Sequence, residues 1–464
     1  MFDKSIYQQR RNYLKKQLDK GIILLPGNDE SPMNYKDNPF HFRQDSSFLY
    51  YFGLDKPQLY GLMDLDSGED YIFGNDYTVE DFVWMGYQPP ISELSRDAGI
   101  EKTGNLEDLV STINKARGQN RHIHFLPPYR AEHEIKLQRL FGVSPDEASD
   151  QASVELIRAI GEQRIIKSDE EIRELEKAVD TSVDMHLAAM HFARPGMTEA
   201  EVMSRVYQVA LSSGGNIAFP IIATINGETL HNHFHGNTIR EGDMFLLDAG
   251  AETTNNYAGD LSSTFPVGRR FSEQQKDIYR VALQAHESAL QALEPGKNFR
   301  DVHLEAARNI AQGMKDLGFM KGSVDDAVEA GAHALFFPCG LGHLLGMDAH
   351  DMENLGEMQV GYQGKPKSKQ FGLKSLRLAR ELKPGFVITI EPGVYFIPQL
   401  IDDWKASKMH TDFINYDKVE QFKSFGGIRN EEDVLITHDG YRIMGKPLAK
   451  TIEDVEKERE KAFG

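Results

Sequence analysis

The chain has 464 residues, 40% of them hydrophobic and 27% charged, with a formal net charge of −19. That length implies two or three domains, each able to bury a core. The acidic balance argues against a nucleic-acid backbone or an anionic membrane as the main partner, since both select a basic surface. It leaves many carboxylates free to act as hard metal ligands. Cys339 is the single cysteine, which excludes an internal disulfide and a Cys-rich zinc site and fits a reducing compartment such as the cytoplasm. No apolar run of the secretory type follows Met1-Phe2-Asp3-Lys4.

Residues 1–158 are expected to form a mixed α/β domain. A charged helix over 7–20 runs into a strand at 22–25, too short to span a membrane, and then a Pro-Gly turn. Further strands are expected at 59–65, at 71–73 and at 122–126, the last stopped by Pro127-Pro128. His122 and His124 share one side of that strand, and such pairs are more often packed or surface residues than ligands.

Residues 159–464 open with helices whose starts are visible. Ser168 with Glu171, Thr198 with Glu201 and Ser272 with Gln275 have capping-box spacing, which satisfies free N–H groups of a first turn. Pro195-Gly196 and Pro295-Gly296 end the first and third helices. An internal echo follows. The two Pro-Gly pairs precede Glu201-Val202 and Asp301-Val302 at equal spacing, and the 242–250 segment resembles 385–393. Each of the latter is a glycine turn, an apolar strand, then a carboxylate two residues before glycine. Two similar α/β halves are expected, with Asp248 and Glu391 facing each other across a pseudo-two-fold.

Asp248 ends an apolar strand and Asp260 follows after Thr253-Thr254-Asn255-Asn256, which is turn chemistry. A hairpin here brings both carboxylates to one face, and neither sits buried and ionised without a cation or donors. In the second half Glu391 follows the strand 386–390. Spacing alone does not choose among Glu431, Glu432 and Asp433. His343 and His350 lie in one Gly-rich segment. Carboxylates with one imidazole suit divalent manganese, cobalt or zinc, and a pair of such ions activates water and clamps a carbonyl oxygen.

Five segments resemble the Xaa-Pro peptidases of the pita-bread metallopeptidase family, aminopeptidase P and prolidase. They are Leu247-Asp248-Ala249-Gly250, Ala258-Gly259-Asp260 with Thr264-Phe265-Pro266, the 340–351 segment, Ile390-Glu391-Pro392-Gly393-Val394-Tyr395, and the 427–434 segment. The 41–53 segment is similar to the one opening the N-terminal domain of aminopeptidase P. The resemblance implies a creatinase-like α/β domain followed by a pita-bread domain of two α+β halves with antiparallel sheet. It implies two divalent ions, manganese foremost, with zinc or cobalt compatible. Asp248 would bind one ion through both oxygens, Asp260 and Glu431 would bridge, and His343 and Glu391 would complete the other. The Arg-x pair before the family's last glutamate selects Glu431. Glu391 would also serve as general base or acid for the attacking water. His231 and His350 match family histidines near the scissile bond and the tetrahedral intermediate. Arg429 and Tyr395 match positions that orient ligands.

Three features depart from the family. Cys339 stands where many relatives carry histidine. Asn430 replaces an aliphatic residue. His233 and His235 follow His231 and are expected to be loop residues. Inserts at 354–380 and 397–425 are expected to wall the pocket. The implied substrate is a peptide with proline second, cleaved by an aminopeptidase or by a strict dipeptidase. A non-catalytic binding protein would ordinarily have lost ligands, and all five are kept. A homo-oligomer, dimer or tetramer, is also implied.

Overall fold

A computed structural model describes residues 2–464. The chain divides into two compact units, one of residues 1–164 with 353–360, the other of 165–352 with 361–464. The boundary expected at 158/159 falls inside the helix Val154–Arg164, and the units part after that helix.

The first unit is built on a mixed five-stranded sheet. Its order is Lys102–Gly104, Asp70–Phe73, Tyr60–Asp64, Ile22–Pro26 and Ile123–His124, antiparallel at the centre and parallel at both edges. Ile22, Leu24 and Leu62 put their side chains on one face, as alternation requires. There they meet Leu109, Ile113 and Ala116 of the helix Leu106–Gly118. The expected 122–126 strand is only two residues long, because Pro127-Pro128 and the preceding loop limit its pairing. His124 is packed, its Nδ1 bonded with Ser153 Oγ at 2.8 Å and its Nε2 with Lys20 O at 3.1 Å.

The second unit has the two expected halves. Helix Asp169–Phe192 packs on Glu199–Ser212, and Glu273–Gln291 packs on Phe299–Asp316. All three capping boxes form. The echo extends to the loops. Thr198 bridges Thr238 and Asn298 bridges Glu381, so each Pro-Gly turn pins the segment leading into its half's apolar strand. One half carries the antiparallel sheet Ser262–Pro266, Met244–Asp248, Ile222–Thr224, and the other Val387–Ile390, Glu432–Thr437, Gly440–Ile443. Gly393–Tyr395 pairs with Gly427–Arg429. Among the described residues no helix is long and apolar enough to cross a membrane.

Candidate metal centre

Each half delivers its carboxylates from the end of a buried strand. Met244–Asp248 pairs with Ser262–Pro266 so that Asp248 stands opposite Ser262, and Asp260 lies just before the second strand. The connection is tight. A Cβ at Gly250 would meet Gly259 O at 1.7 Å, so only glycine allows the two segments to approach this closely. His186 ties the strand end from behind, its Nδ1 on Ser263 Oγ at 2.7 Å and its Nε2 on Ala249 O at 3.1 Å. Burial pushes this histidine down to about 4, so it acts as a neutral linker.

In the other half, Val387–Ile390 pairs with Glu432–Thr437 and Ile390 stands opposite Glu432. Alternation then separates Glu432 from the other two. Glu431 turns toward Asp260 and His343. Glu432 turns away, pairing with Lys450 and lying 3.7 Å from His286 Nε2. Asp433 returns to the inner side, where its Oδ2 accepts from Asp260 N at 2.9 Å.

His343 reaches the site on the glycine-rich segment beside the Val387–Ile390 strand. Its backbone N–H donates to Thr389 Oγ1 at 3.1 Å, and a Cβ at Gly342 would meet Thr389 O at 2.0 Å. His343 Nδ1 faces Leu344 O at 3.1 Å, which leaves Nε2 toward the carboxylates. That nitrogen lies 3.5 Å from Asp260 Oδ2 and 3.2 Å from Glu391 Oε1. Ligand atoms of Asp260, His343 and Glu431 all lie within 4.8 Å of one another. Asp248 stands outside that triad. It is joined to the group by Arg429, whose Nη2 donates to Asp248, Nε to Ser262 Oγ at 2.9 Å and Nη1 to the Tyr395 hydroxyl at 3.2 Å. Ser262 Oγ in turn donates to Glu431 Oε2 at 2.7 Å.

The electrostatics show an unbalanced negative cluster. Burial pushes the Asp260 carboxyl well above its usual range, and the charges of Asp248, Asp433 and Glu391 add to this. Glu431 is raised well above its range by burial and then by Asp260, Glu391, Asp248 and Asp433. Burial raises Asp248 as well, against the pull of Arg429. Burial also works to raise Glu391, but the bond and charge of His343 hold it below its ordinary value. Glu431 Oε1 is buried and has no hydrogen-bond partner. A carboxylate oxygen left this way, among other carboxylates and one imidazole nitrogen, fits a divalent cation.

A cavity of about 290 Å³ opens on this cluster. Glu391 and Arg429 form part of its wall, with His231, His350, Cys339, Ser375 and Arg377 among the rest. The His350 and His343 rings lie 4.2 Å apart. The Cys339 thiol is pushed up to about 12, chiefly by burial and then by Glu391, and is therefore a neutral group. His233 is exposed in a loop, and His235 bonds Ile221 O at 3.1 Å. The insert 354–380 supplies Ser375 and Arg377 to the wall, whereas the cavity lining includes nothing from 397–425. There Phe422 and Phe425 pack with Phe396 instead. Sequence reasoning missed Arg377, Ser375, Ser262, Thr389 and His186. Only Ser262, next but one to Asp260, and Thr389, next but one to Glu391, carried a local signal.

Comparison with known proteins places the chain in a family. Residues 173–438 match the model of metallopeptidase family M24, and residues 7–124 match that of the aminopeptidase P N-terminal domain. The Xaa-Pro dipeptidase of Homo sapiens is 30% identical over 456 residues, covering 94% of this chain and 88% of that protein. A probable Xaa-Pro aminopeptidase of Aspergillus niger is 29% identical over 447 residues, covering 94% of this chain and 92% of that protein. Among solved structures, Pseudomonas aeruginosa aminopeptidase PepP superposes with a TM-score of 0.81 at 26% identity, over 100% of this chain and 99% of that one. Zinc-substituted E. coli aminopeptidase P in complex with product gives 0.79 at 26% identity, over 99% of each chain. The chain belongs to metallopeptidase family M24, as a hydrolase with an aminopeptidase P N-terminal domain.

Proposed function

We propose that this hydrolase cleaves the bond between an N-terminal residue and a following proline, using two divalent ions held by Asp248, Asp260, His343, Glu391 and Glu431. Manganese is the ion we expect, with zinc or cobalt compatible with the donor set. The observation that carries this reading is the buried, unpartnered Oε1 of Glu431 among three other carboxylates and His343 Nε2, beside a cavity of about 290 Å³. When bound, such ions lower the pKa of water and polarise a carbonyl. The protein's own groups then divide the work. Glu391 takes and returns the proton of the attacking water at a side-chain oxygen. His231 and His350, on the cavity wall, donate to the carbonyl oxygen as charge develops on it. Arg429 and Tyr395 keep Asp248 aimed. Cys339, as a neutral thiol, leaves room where an imidazole would stand, and Leu230 and Pro338 offer apolar contact to a proline ring.

Arg377 favours a second reading, a strict Xaa-Pro dipeptidase. A guanidinium in the cavity wall matches the free carboxylate of a dipeptide in charge and in bidentate geometry. One experiment tests both. The manganese-loaded protein is incubated with alanyl-proline and alanyl-prolyl-alanine, with and without chelator. Cleavage that chelator abolishes is expected. Failure to cleave either peptide with metal bound rules out the peptidase reading and leaves a binding protein on this fold. Cleavage of the dipeptide alone, with a KM that rises in Arg377→Met, assigns the dipeptidase. We also propose a homo-oligomer, dimer or tetramer, working in the cytoplasm. The lone cysteine is consistent with that compartment, and sedimentation velocity tests the assembly.

A further inference from the structure

The segment bearing His343 and His350 is anchored from outside the site by a buried ion pair. Lys167 Nζ lies 2.8 Å from Asp351 Oδ2, and both side chains are only 1% exposed. Asp351 directly follows His350. Its backbone N–H donates to Leu344 O at 2.9 Å, while Gly346 N–H donates to Asp348 O at 3.1 Å, so residues 344–351 close into a tight loop. The carboxylate fills the middle of that loop. A Cβ at Gly346 would stand 2.3 Å from Asp351 Oδ2.

Lys167 also grips the neighbouring strand. Its backbone N–H donates to Gly385 O at 2.8 Å, at the turn before Val387–Ile390, the strand that leads to Glu391. Leu345 N–H donates to Val387 O at 3.0 Å in the same strand. One residue therefore ties the histidine loop to the strand that delivers Glu391. Bringing two charges out of water is costly, and apolar side chains would fill the space with less penalty. A buried ion pair is thus poor evidence for stability, and its best-attested use is to specify one arrangement over others. Here the arrangement specified is that of His350, whose ring stands 4.2 Å from that of His343.

We propose that Lys167 is a positioning residue for the reaction: through Asp351 it holds His350 where that imidazole meets the substrate carbonyl. The inference rests on the substrate-facing role of His350 proposed above. A displacement of about 1 Å at a reacting group costs on the order of 100-fold in rate. Lys167→Met removes the cation beside Asp351 and is expected to lower kcat for alanyl-proline by about that factor, with KM changed far less.

The test is a double-mutant cycle with His350→Ala, read as kcat at saturating manganese, well below the melting temperature. If Lys167 acts through His350, Lys167→Met costs less than about twofold in the His350→Ala background. An equal loss in both backgrounds, or no loss in either, overturns the proposal. Full activity in His350→Ala alone would instead overturn the role given to His350. Asp351→Asn keeps the shape of the side chain and removes its charge. If Lys167→Met does not fold, Asp351→Asn carried through the same cycle decides between these outcomes.

Discussion

Replacing Arg429 by lysine isolates geometry from charge at the centre of the site. The guanidinium serves three partners from three nitrogens: Asp248, Ser262 Oγ at 2.9 Å and the Tyr395 hydroxyl at 3.2 Å. A lysine ammonium keeps the positive charge but cannot span three directions from one nitrogen. Two of the three bonds are then lost. A hydrogen bond to a charged group contributes roughly 1.5–3 kcal/mol, so Arg429→Lys should destabilise the metal-free protein by about 3–6 kcal/mol. That is a large share of the roughly 5–15 kcal/mol that holds a typical domain together. Asp248 also loses its aim, and outer partners of this kind typically contribute about 10–100-fold to metal affinity. Urea unfolding of chelator-stripped protein measures the first effect, and manganese competition against a fluorescent chelator measures the second. If Arg429→Lys keeps metal affinity within about twofold and stability within about 1 kcal/mol, the guanidinium is a passive neighbour and the reasoning fails.

Acidity should narrow the stability difference between metal-loaded and metal-stripped protein. Asp260, Glu431 and Asp433 are raised well above the usual carboxyl range by burial first and then by neighbouring charges and, for Asp433, against the Asp260 N–H. Groups shifted this way hold protons in the fold that the unfolded chain releases. Their stabilising contribution is full below the unfolded carboxyl range of about 4 and is lost as pH rises through the folded values. The stripped protein thus gains, as pH falls from 8 toward 5.5 (~2.5 units), what bound ions give at high pH, while the buried histidines outside the ligand set, His186, His286, His303 and His333, are held down by burial in both forms. Melting temperatures with and without manganese should converge over that window, and a gap that widens contradicts the assignment. Tyr279→Phe removes bonds to Asn430 Oδ1 at 3.2 Å and Lys450 O at 2.8 Å. It should cost about 1–3 kcal/mol in thermal unfolding, and an unchanged melting temperature would show that this hydroxyl does not hold the residue preceding Glu431.

Much of this protein is legible from residues close together in the chain. The capping boxes at Ser168, Thr198 and Ser272 form as expected because their partners lie within one helical turn. The hairpin between Asp248 and Asp260 follows from an apolar strand and a polar turn. The family pattern selected Glu431 over its acidic neighbours, and the strand register supplies the physical reason for Glu432, whereas Asp433 shares the inner side and accepts from the Asp260 N–H. Pairing of Ile390 with Glu432 sends alternate side chains to opposite sides. Asn430, which breaks the family pattern, has a partner in Tyr279 from the Glu273–Gln291 helix. What could not be read depends on distant encounters. His186 reaches Ser263 across 77 residues and Lys167 reaches Asp351 across 184. Arg377 sits in an insert with no periodic signal, and only its place in the folded wall marks it.

The split origin of the centre also sets when it can exist. Arg429 and Asp248 are 181 residues apart, and Asp260 and Asp433 are 173 apart. At about 5–20 residues per second, a ribosome adds Asp248 some ten to forty seconds before Arg429. Within that interval His343 and then Glu391 join the acidic hairpin ends, while Arg429 and Glu431 are still to come. The ligand set proposed above is therefore complete only once synthesis has passed Glu431, the last of its five residues.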